Sequence, residues 1–257
     1  MSPDQVLKTL CEIVEGRTIE ATFKTATDWF GAIGFSRVNY GYTQYRHAHS
    51  IGDPDDALYL SNCSEDYIAE YFHSGFYMRT PLFRWAQNNE GACTWKWVRE
   101  AYEAGTLTPE ECATLAKNAQ IGVTAGITVS FHASSSRAKG AIGIIADQGL
   151  SEDDVEDIFA RQKDAIIAVS NMMHLRILQL PHLGRNRVLS PRQREALEWV
   201  ADGKTSQDVA LLMGVSTAMV EKHLRLAREA LSVETTAQAI AKSTALNMIF
   251  TRPNAQE

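Results

Sequence analysis

Three consecutive residues, Gly203-Lys204-Thr205, have the composition of the end of a phosphate-binding loop. In such a loop backbone amides and a lysine wrap an anion, so the chemistry would be nucleotide binding. The loop also needs a glycine separated from the triplet by four residues, because a side chain there would crowd the phosphate. That position is Glu198, inside "EALEWVADGKT", where Ala196, Leu197, Val200 and Ala201 repeat at helical spacing and no strand-like run precedes them. The triplet reads instead as a junction between helices.

Beyond the junction, residue spacing predicts two short helices around a glycine. Thr205 or Ser206 can cap the first, whose apolar residues are Val209, Leu212 and Met213, with the small Ala210 where a second helix crosses closely. Gly214 suits a left-handed turn, Val215 plugs the core, and Ser216 caps the second helix, with Met219, Val220, Leu224 and Ala227 as its inner stripe. Thr217, Glu221, Lys222, Arg225 and Arg228 fall outside that stripe, where they can meet base edges or phosphates, and Lys204 can reach a phosphate beside the first helix. A plain helical hairpin has the same apolar pattern. The basic outward face favours DNA.

Other chemistry is poorly provided for. His47, His49, His73 and Glu65 could move protons, but no spacing pairs them with a nucleophile or a metal, so no enzyme and no metal site are expected. Cys11, Cys63, Cys93 and Cys112 lie far apart with no CxxC pattern and read as buried free thiols in a reducing cytoplasm.

The elements that must position these residues differ along the chain. Helical spacing predicts helices over 4–15 and 18–32, and shorter ones over 64–74, 80–89 and 107–120, the last capped by Thr108 with Pro109 following. Aromatic and β-branched runs predict strands over 34–45, 57–62, 123–133 and 140–147, and Ser151 opens a long helix to about Leu180. The stripe Val155, Ile158, Ile166, Val169 and Met173 on that helix suits either core packing or contact with a second copy. "QLPHLGRNRVLS" breaks every period, and past it helices are expected over 191–202, 205–213, 216–231 and 235–248.

The chain has 257 residues, 45% hydrophobic and 22% charged, which excludes a mainly disordered protein. Residues 1–183 carry 15 Lys and Arg against 23 Asp and Glu, a net −8, while the remaining 74 carry 10 against 8, a net +2. An acidic body with a slightly basic tail is compatible with a nucleic-acid-binding end. No apolar run approaches the ~20 residues of a membrane span, and no secretory signal is visible, so a cytoplasmic protein with no membrane partner is expected.

From Leu189 to about Ile249, "LSPRQREALEWVADGKTSQDVALLMGVSTAMVEKHL" and its continuation resemble the DNA-binding domain of LuxR-type regulators of bacteria, a four-helix module. The resemblance implies that Arg225 reads bases, and an arginine can be bidentate to guanine. Glu221 stands where relatives carry arginine, so it either accepts from cytosine or screens phosphates. Gln193 replaces the usual glutamate and keeps its hydrogen bonding, so the fold should survive.

Residues 1–178 resemble the autoinducer-binding domain of quorum-sensing regulators, which bind N-acyl homoserine lactones. The anchors are "GFSRVNYG", "SEDYIAEYFHSGFYMRTP", Trp95 and "GITVSFHA…GAIGI". A phosphoacceptor domain of the two-component kind would need a βα series that is missing. The resemblance implies a small-molecule pocket of Asn39, Tyr59, Cys63, Tyr67, Tyr71, Thr80, Pro81, Leu82, Trp95, Thr128, Ala141 and Gly143, with Tyr40 and Tyr42 adding polar aromatic character. The family holds the lactone head group with a Tyr, a Trp, an Asp and a Ser or Thr; here those positions become Cys63, Tyr67, Thr80 and Gly143. Each lost partner for a buried polar ligand group should cost ~1–3 kcal/mol.

The expected fold class is α+β: an N-terminal α-β-α sandwich around a mainly antiparallel sheet over 1–178, a linker over 179–188, and an all-α four-helix helix-turn-helix domain over 189–257. The expected function is a DNA-binding transcriptional regulator whose small-molecule signal is not an ordinary acyl homoserine lactone. Two alternatives are a lactone receptor with a rearranged head-group site and a ligand-independent regulator whose first domain only folds and dimerises. Ligand-dependent thermal stabilisation separates them. The partners implied are an inverted-repeat operator in double-stranded DNA, a second copy of the chain, the signal and RNA polymerase; no cofactor is expected.

Overall fold

The computed structural model describes residues 2–46, 52, 54–133, 135–181 and 188–250. His47 and His49, the middle of the expected linker (182–187) and the last seven residues lie outside them, as does the side chain of His73. Two compact units part between Ile177 and Leu178.

The N-terminal unit opens with α1 (Pro3–Glu15) and α2 (Ile19–Gly31). Ser2 and Gln5 close a capping box at the start of α1, which satisfies backbone amides that have no partner within the helix. Five strands follow at intervals: β1 (Arg37–Thr43), β2 (Leu58–Ser61), β3 (Gly91–Thr94), β4 (Gly126–Ser130) and β5 (Lys139–Ile145). They form one sheet in the order β2-β1-β5-β4-β3 with every neighbour antiparallel.

The pleat sorts side chains to two faces. Val38, Tyr40, Ile127, Val129, Ile142 and Ile144 share one face and are at most 1% exposed. The long helix α7 (Glu152–Gln179) covers that face, where the His174 ring stacks on Phe131 at 4.0 Å between centroids and its Nδ1 lies 2.8 Å from the Tyr40 hydroxyl. On α7, Val155, Ile166, Val169 and Met173 are buried and Ile158 is half-buried, so the apolar stripe is core of its own unit.

The opposite face carries Asn39, Gly41, Thr128, Ala141, Gly143 and, from β2, Tyr59. The expected helix over 64–74 is one α turn, α3 (Glu65–Ile68), running into a wider π turn, Ala69–His73, and then a 3-10 turn, Phe76–Arg79. Next come α4 (Pro81–Asn88), α5 (Lys96–Glu103) and α6 (Pro109–Gln120), the last with a Thr108–Glu111 capping box. β3 and α5 are two elements the sequence reading did not assign. All four cysteines are free thiols; Cys11 is exposed and the others are half-buried rather than enclosed.

The C-terminal unit holds α8 (Pro191–Ala201), α9 (Ser206–Met213), α10 (Thr217–Leu231) and α11 (Thr236–Ala245) around a core that includes Leu197, Val209, Met213, Val220, Leu224 and Leu231. Gln193 completes the box at the start of α8: Ser190 N donates to its Oε1 at 2.8 Å, and its own N donates to Ser190 Oγ at 3.3 Å. The amide does what the family's carboxylate would.

Candidate functional site

The sheet face opposite α7 floors a cavity. Asn39, Tyr59, Tyr67, Tyr71, Thr80, Leu82, Trp95, Thr128, Ala141 and Gly143, all singled out from the sequence, line it together. Cys63 lines an adjoining cleft instead, and Pro81 is buried at the first position of α4 outside the lining. The cavity has about 120 Å³ of room for the centres of water-sized spheres. One water needs ~10–15 Å³ on that measure, so there is space for a small organic molecule.

Rings dominate the walls. Tyr67 stacks on Tyr71 at 5.1 Å and 15°, a pair that α3 and the π turn deliver from adjacent turns. Tyr77, Phe72 and Phe83 join them, three lining residues the sequence reading missed. Tyr40 and Tyr42 are also among the lining residues, although they add less aromatic character than expected. Their rings turn to the other face, toward His174, because neighbours of Asn39 and Gly41 in a strand must point away from them.

Several of the cavity's polar groups are matched with one another. Asn39 Nδ2 donates to the Tyr67 hydroxyl at 2.9 Å, Trp95 Nε1 donates to Thr128 Oγ1 at 2.9 Å, and the Tyr59 and Tyr77 hydroxyls lie 2.7 Å apart. Thr80 caps α4: its hydroxyl accepts from Phe83 N at 3.2 Å and donates to Tyr77 O at 2.8 Å. Burial pushes the phenols of Tyr59, Tyr67, Tyr71 and Tyr77 above their ordinary value, so they act as neutral hydroxyls. Burial likewise raises the Cys63 thiol and pushes Cys93 up to about 12, so neither serves as a thiolate.

Among the described residues no carboxylate lines the cavity; its charged residues are Arg46 and Lys139. At the four head-group positions Cys63 faces the cleft, Tyr67 is bonded to Asn39, Thr80 is committed to its cap, and Gly143 brings no side chain. A Cβ added at Gly143 would meet nothing nearer than the Asn39 carbonyl oxygen at 4.0 Å.

The second site is the surface of α10. Gly214 has φ 65°, the left-handed turn its sequence position implied, and Ser216 caps the helix by accepting from Met219 N at 3.3 Å. Thr205 caps α9 in a reciprocal box with Asp208. Lys204, Thr217, Glu221, Lys222 and Arg225 are all exposed. Glu221 accepts from Ser206 Oγ at 2.6 Å, and Arg225 pairs with Glu229 one turn on at 2.5 Å. Arg228 is half-buried and donates to Thr236 Oγ1 at 3.0 Å, which ties α10 to α11. Val209, Ala210, Met213, Val220, Leu224 and Ala227 are buried as expected, whereas Leu212 and Met219, also expected inside, are 50% and 39% exposed.

The chain matches the autoinducer binding domain family over residues 18–177 and the sigma-70 region 4 family over residues 187–231. It is 25% identical over 232 residues to the transcriptional activator protein TraR of Agrobacterium vitis, covering 88% of this chain and 90% of that protein. To the transcriptional activator protein LuxR of Aliivibrio fischeri it is 20% identical over 200 residues, 77% of this chain and 76% of the other. Escherichia coli SdiA has the same fold, with a TM-score of 0.52 at 17% identity over 96% of this chain and 99% of that one.

Proposed function

Because this chain belongs to the autoinducer-binding family and is a LuxR-type quorum-sensing transcriptional regulator, we propose that its signal is a small molecule other than an ordinary acyl homoserine lactone. The observation that carries this reading is the lack of a carboxylate among the described residues of the cavity wall. A carboxylate accepts an amide proton in a charge-assisted bond about twice as strong as the neutral one a hydroxyl can offer. Here the hydroxyl at that position already serves a helix cap, and the facing Gly143 offers none. The cavity also argues for a ligand. Unfilled space in a core lowers stability, and a unit that only folds and dimerises would gain by filling it.

No helix among the described residues is long and apolar enough to cross a membrane. On this reading the regulator works in the cytoplasm as a homodimer. A two-fold pair of α10 helices would read an inverted repeat with half-sites about one helical turn apart, and RNA polymerase would be the partner of the bound dimer. The signal would act by shifting the population of the DNA-competent form.

The test is the melting temperature of the full chain against a panel of acyl homoserine lactones, since a molecule that binds only the native state must raise it. Little or no rise is expected. Tight, saturable stabilisation by a lactone would sink the reading. Thr80→Asp, which retains a capping side chain, is expected to add a lactone response.

A further inference from the structure

Asn118 lies in the last turn of α6 and is 7% exposed. Its backbone carbonyl is occupied, accepting from Val123 N at 2.9 Å and Ile121 N at 3.1 Å. Its side-chain Oδ1 is buried and has no hydrogen-bond partner. The residue lines the cavity and, with Tyr67 and Tyr71, also lines the adjoining cleft, so it stands where the two hollows share a wall. The cavity's other polar pairs are closed: Asn39 with Tyr67, Tyr59 with Tyr77, Trp95 with Thr128. Native interiors leave few such acceptors unmatched, because a buried carbonyl without a donor loses the bonds it had to water.

We propose that Asn118 is the polar anchor of the signal, its Oδ1 accepting a hydrogen bond from an N–H or O–H of a ring-bearing molecule that packs against Tyr67 and Tyr71. Oδ1 can only accept, so the signal must donate. The flat ring faces of Tyr67 and Tyr71 beside it favour a ring over a flexible chain. The inference rests on the reading of this cavity as a pocket for a signal other than a lactone, and it names the chemistry such a signal must carry.

The experiment uses matched probes that differ only in the donor: 4-butylphenol against 4-butylanisole, and N-butylbenzamide against its N-methylated counterpart. Binding to the full chain is followed by calorimetry and thermal shift, with octanoyl homoserine lactone as a separate arm. The donor member of each pair is expected to bind about tenfold more tightly, the worth of one well-made buried hydrogen bond. Asn118→Leu should erase that preference by weakening the donor members alone, without lowering the melting temperature of the unliganded protein. Asn118→Asp, which keeps an acceptor, should retain it.

Equal binding within the pairs overturns the proposal, as does a preference that survives Asn118→Leu, or no stabilisation by either donor probe. So does a variant that loses stability while its probe selectivity stays intact, because Asn118 is then structural. The lactone arm separates the two readings. Tight lactone binding that Asn118→Leu weakens would overturn the signal class and leave the anchor standing. Absence of lactone binding together with equal pair binding would do the reverse.

Discussion

In the cavity Asn39 finds Tyr67 across 28 residues of chain and Trp95 finds Thr128 across 33, whereas on α10 Arg225 finds Glu229 only four residues on. The first pairs are part-buried or buried and depend on the whole sheet and its covering helices to meet. The second is exposed, local and open to water and salt. Buried hydrogen bonds that lose a partner cost ~1–3 kcal/mol, while exposed ion pairs one turn apart contribute ~0.3–0.5 kcal/mol. The cavity therefore holds its donors and acceptors in fixed places, and on the proposed reading it would select a ligand by shape and pairing. The exposed surface of α10 keeps Arg225 on a weak tether that, on the proposed reading, DNA would replace.

The comparison breaks most severely if the scaffold under the pocket is disturbed. Gly126 lies so close to Trp95 and to the Ile144 carbonyl that a Cβ there would come within 2.9 Å of the Trp95 ring. Gly126→Ala is expected to destabilise the N-terminal unit by about 3 kcal/mol, measured by denaturant unfolding. The opposite face of the sheet gives a pH test. Burial holds the His174 imidazole at about 4 instead of its ordinary 6.5, with Tyr40, Tyr42 and Phe131 packed around it. Above pH 6.5 the ring is neutral in both states and contributes no slope. Below it the unfolded chain takes up a proton that the folded one refuses, so stability falls by on the order of 3 kcal/mol as the pH drops toward 4. His174→Gln, which can still accept from Tyr40 but does not titrate, should flatten that slope.

The recognition surface should respond differently. Arg225→Ala is expected to weaken operator binding about 10- to 100-fold and relax one base preference, read by fluorescence anisotropy on variant operators. The wild type should lose affinity steeply with salt as phosphates release counterions, and a flat response would argue against DNA binding. The smallest effect tests the tether. Glu229→Gln frees Arg225 and removes a negative charge beside the DNA, so affinity should rise about twofold.

The same contrast explains what could be read from the sequence. Helix starts are legible where a capping residue announces itself: Thr108, Ser151, Thr205 and Ser216 all cap where their neighbours imply. The helix-turn-helix needs little more than such local signals and one glycine turn. α5 follows Trp95, which makes no side-chain cap, and β3 is four half-buried residues with no alternation, so neither gives a signal. Strand alternation alone sends Tyr40 and Asn39 to opposite faces, a signal that the family pattern of pocket aromatics obscures. Asn118 is beyond reach. An asparagine near a helix end reads as an ordinary terminus, and only the packed cavity shows that its oxygen has nothing to bind.

Gly143 lies in register with Asn39 on one side and Thr128 on the other, with open space above it. A glycine codon can become a serine codon through one base substitution. From either of the two glycine codons that allow this, the hydroxyl that the wider family uses is a single inherited step away, at a position where an added Cβ meets nothing nearer than 4.0 Å. Such a change would let the protein sample a different chemical vocabulary without first surviving a damaged fold, so the preference proposed for this pocket would be a local choice within easy walking distance of others.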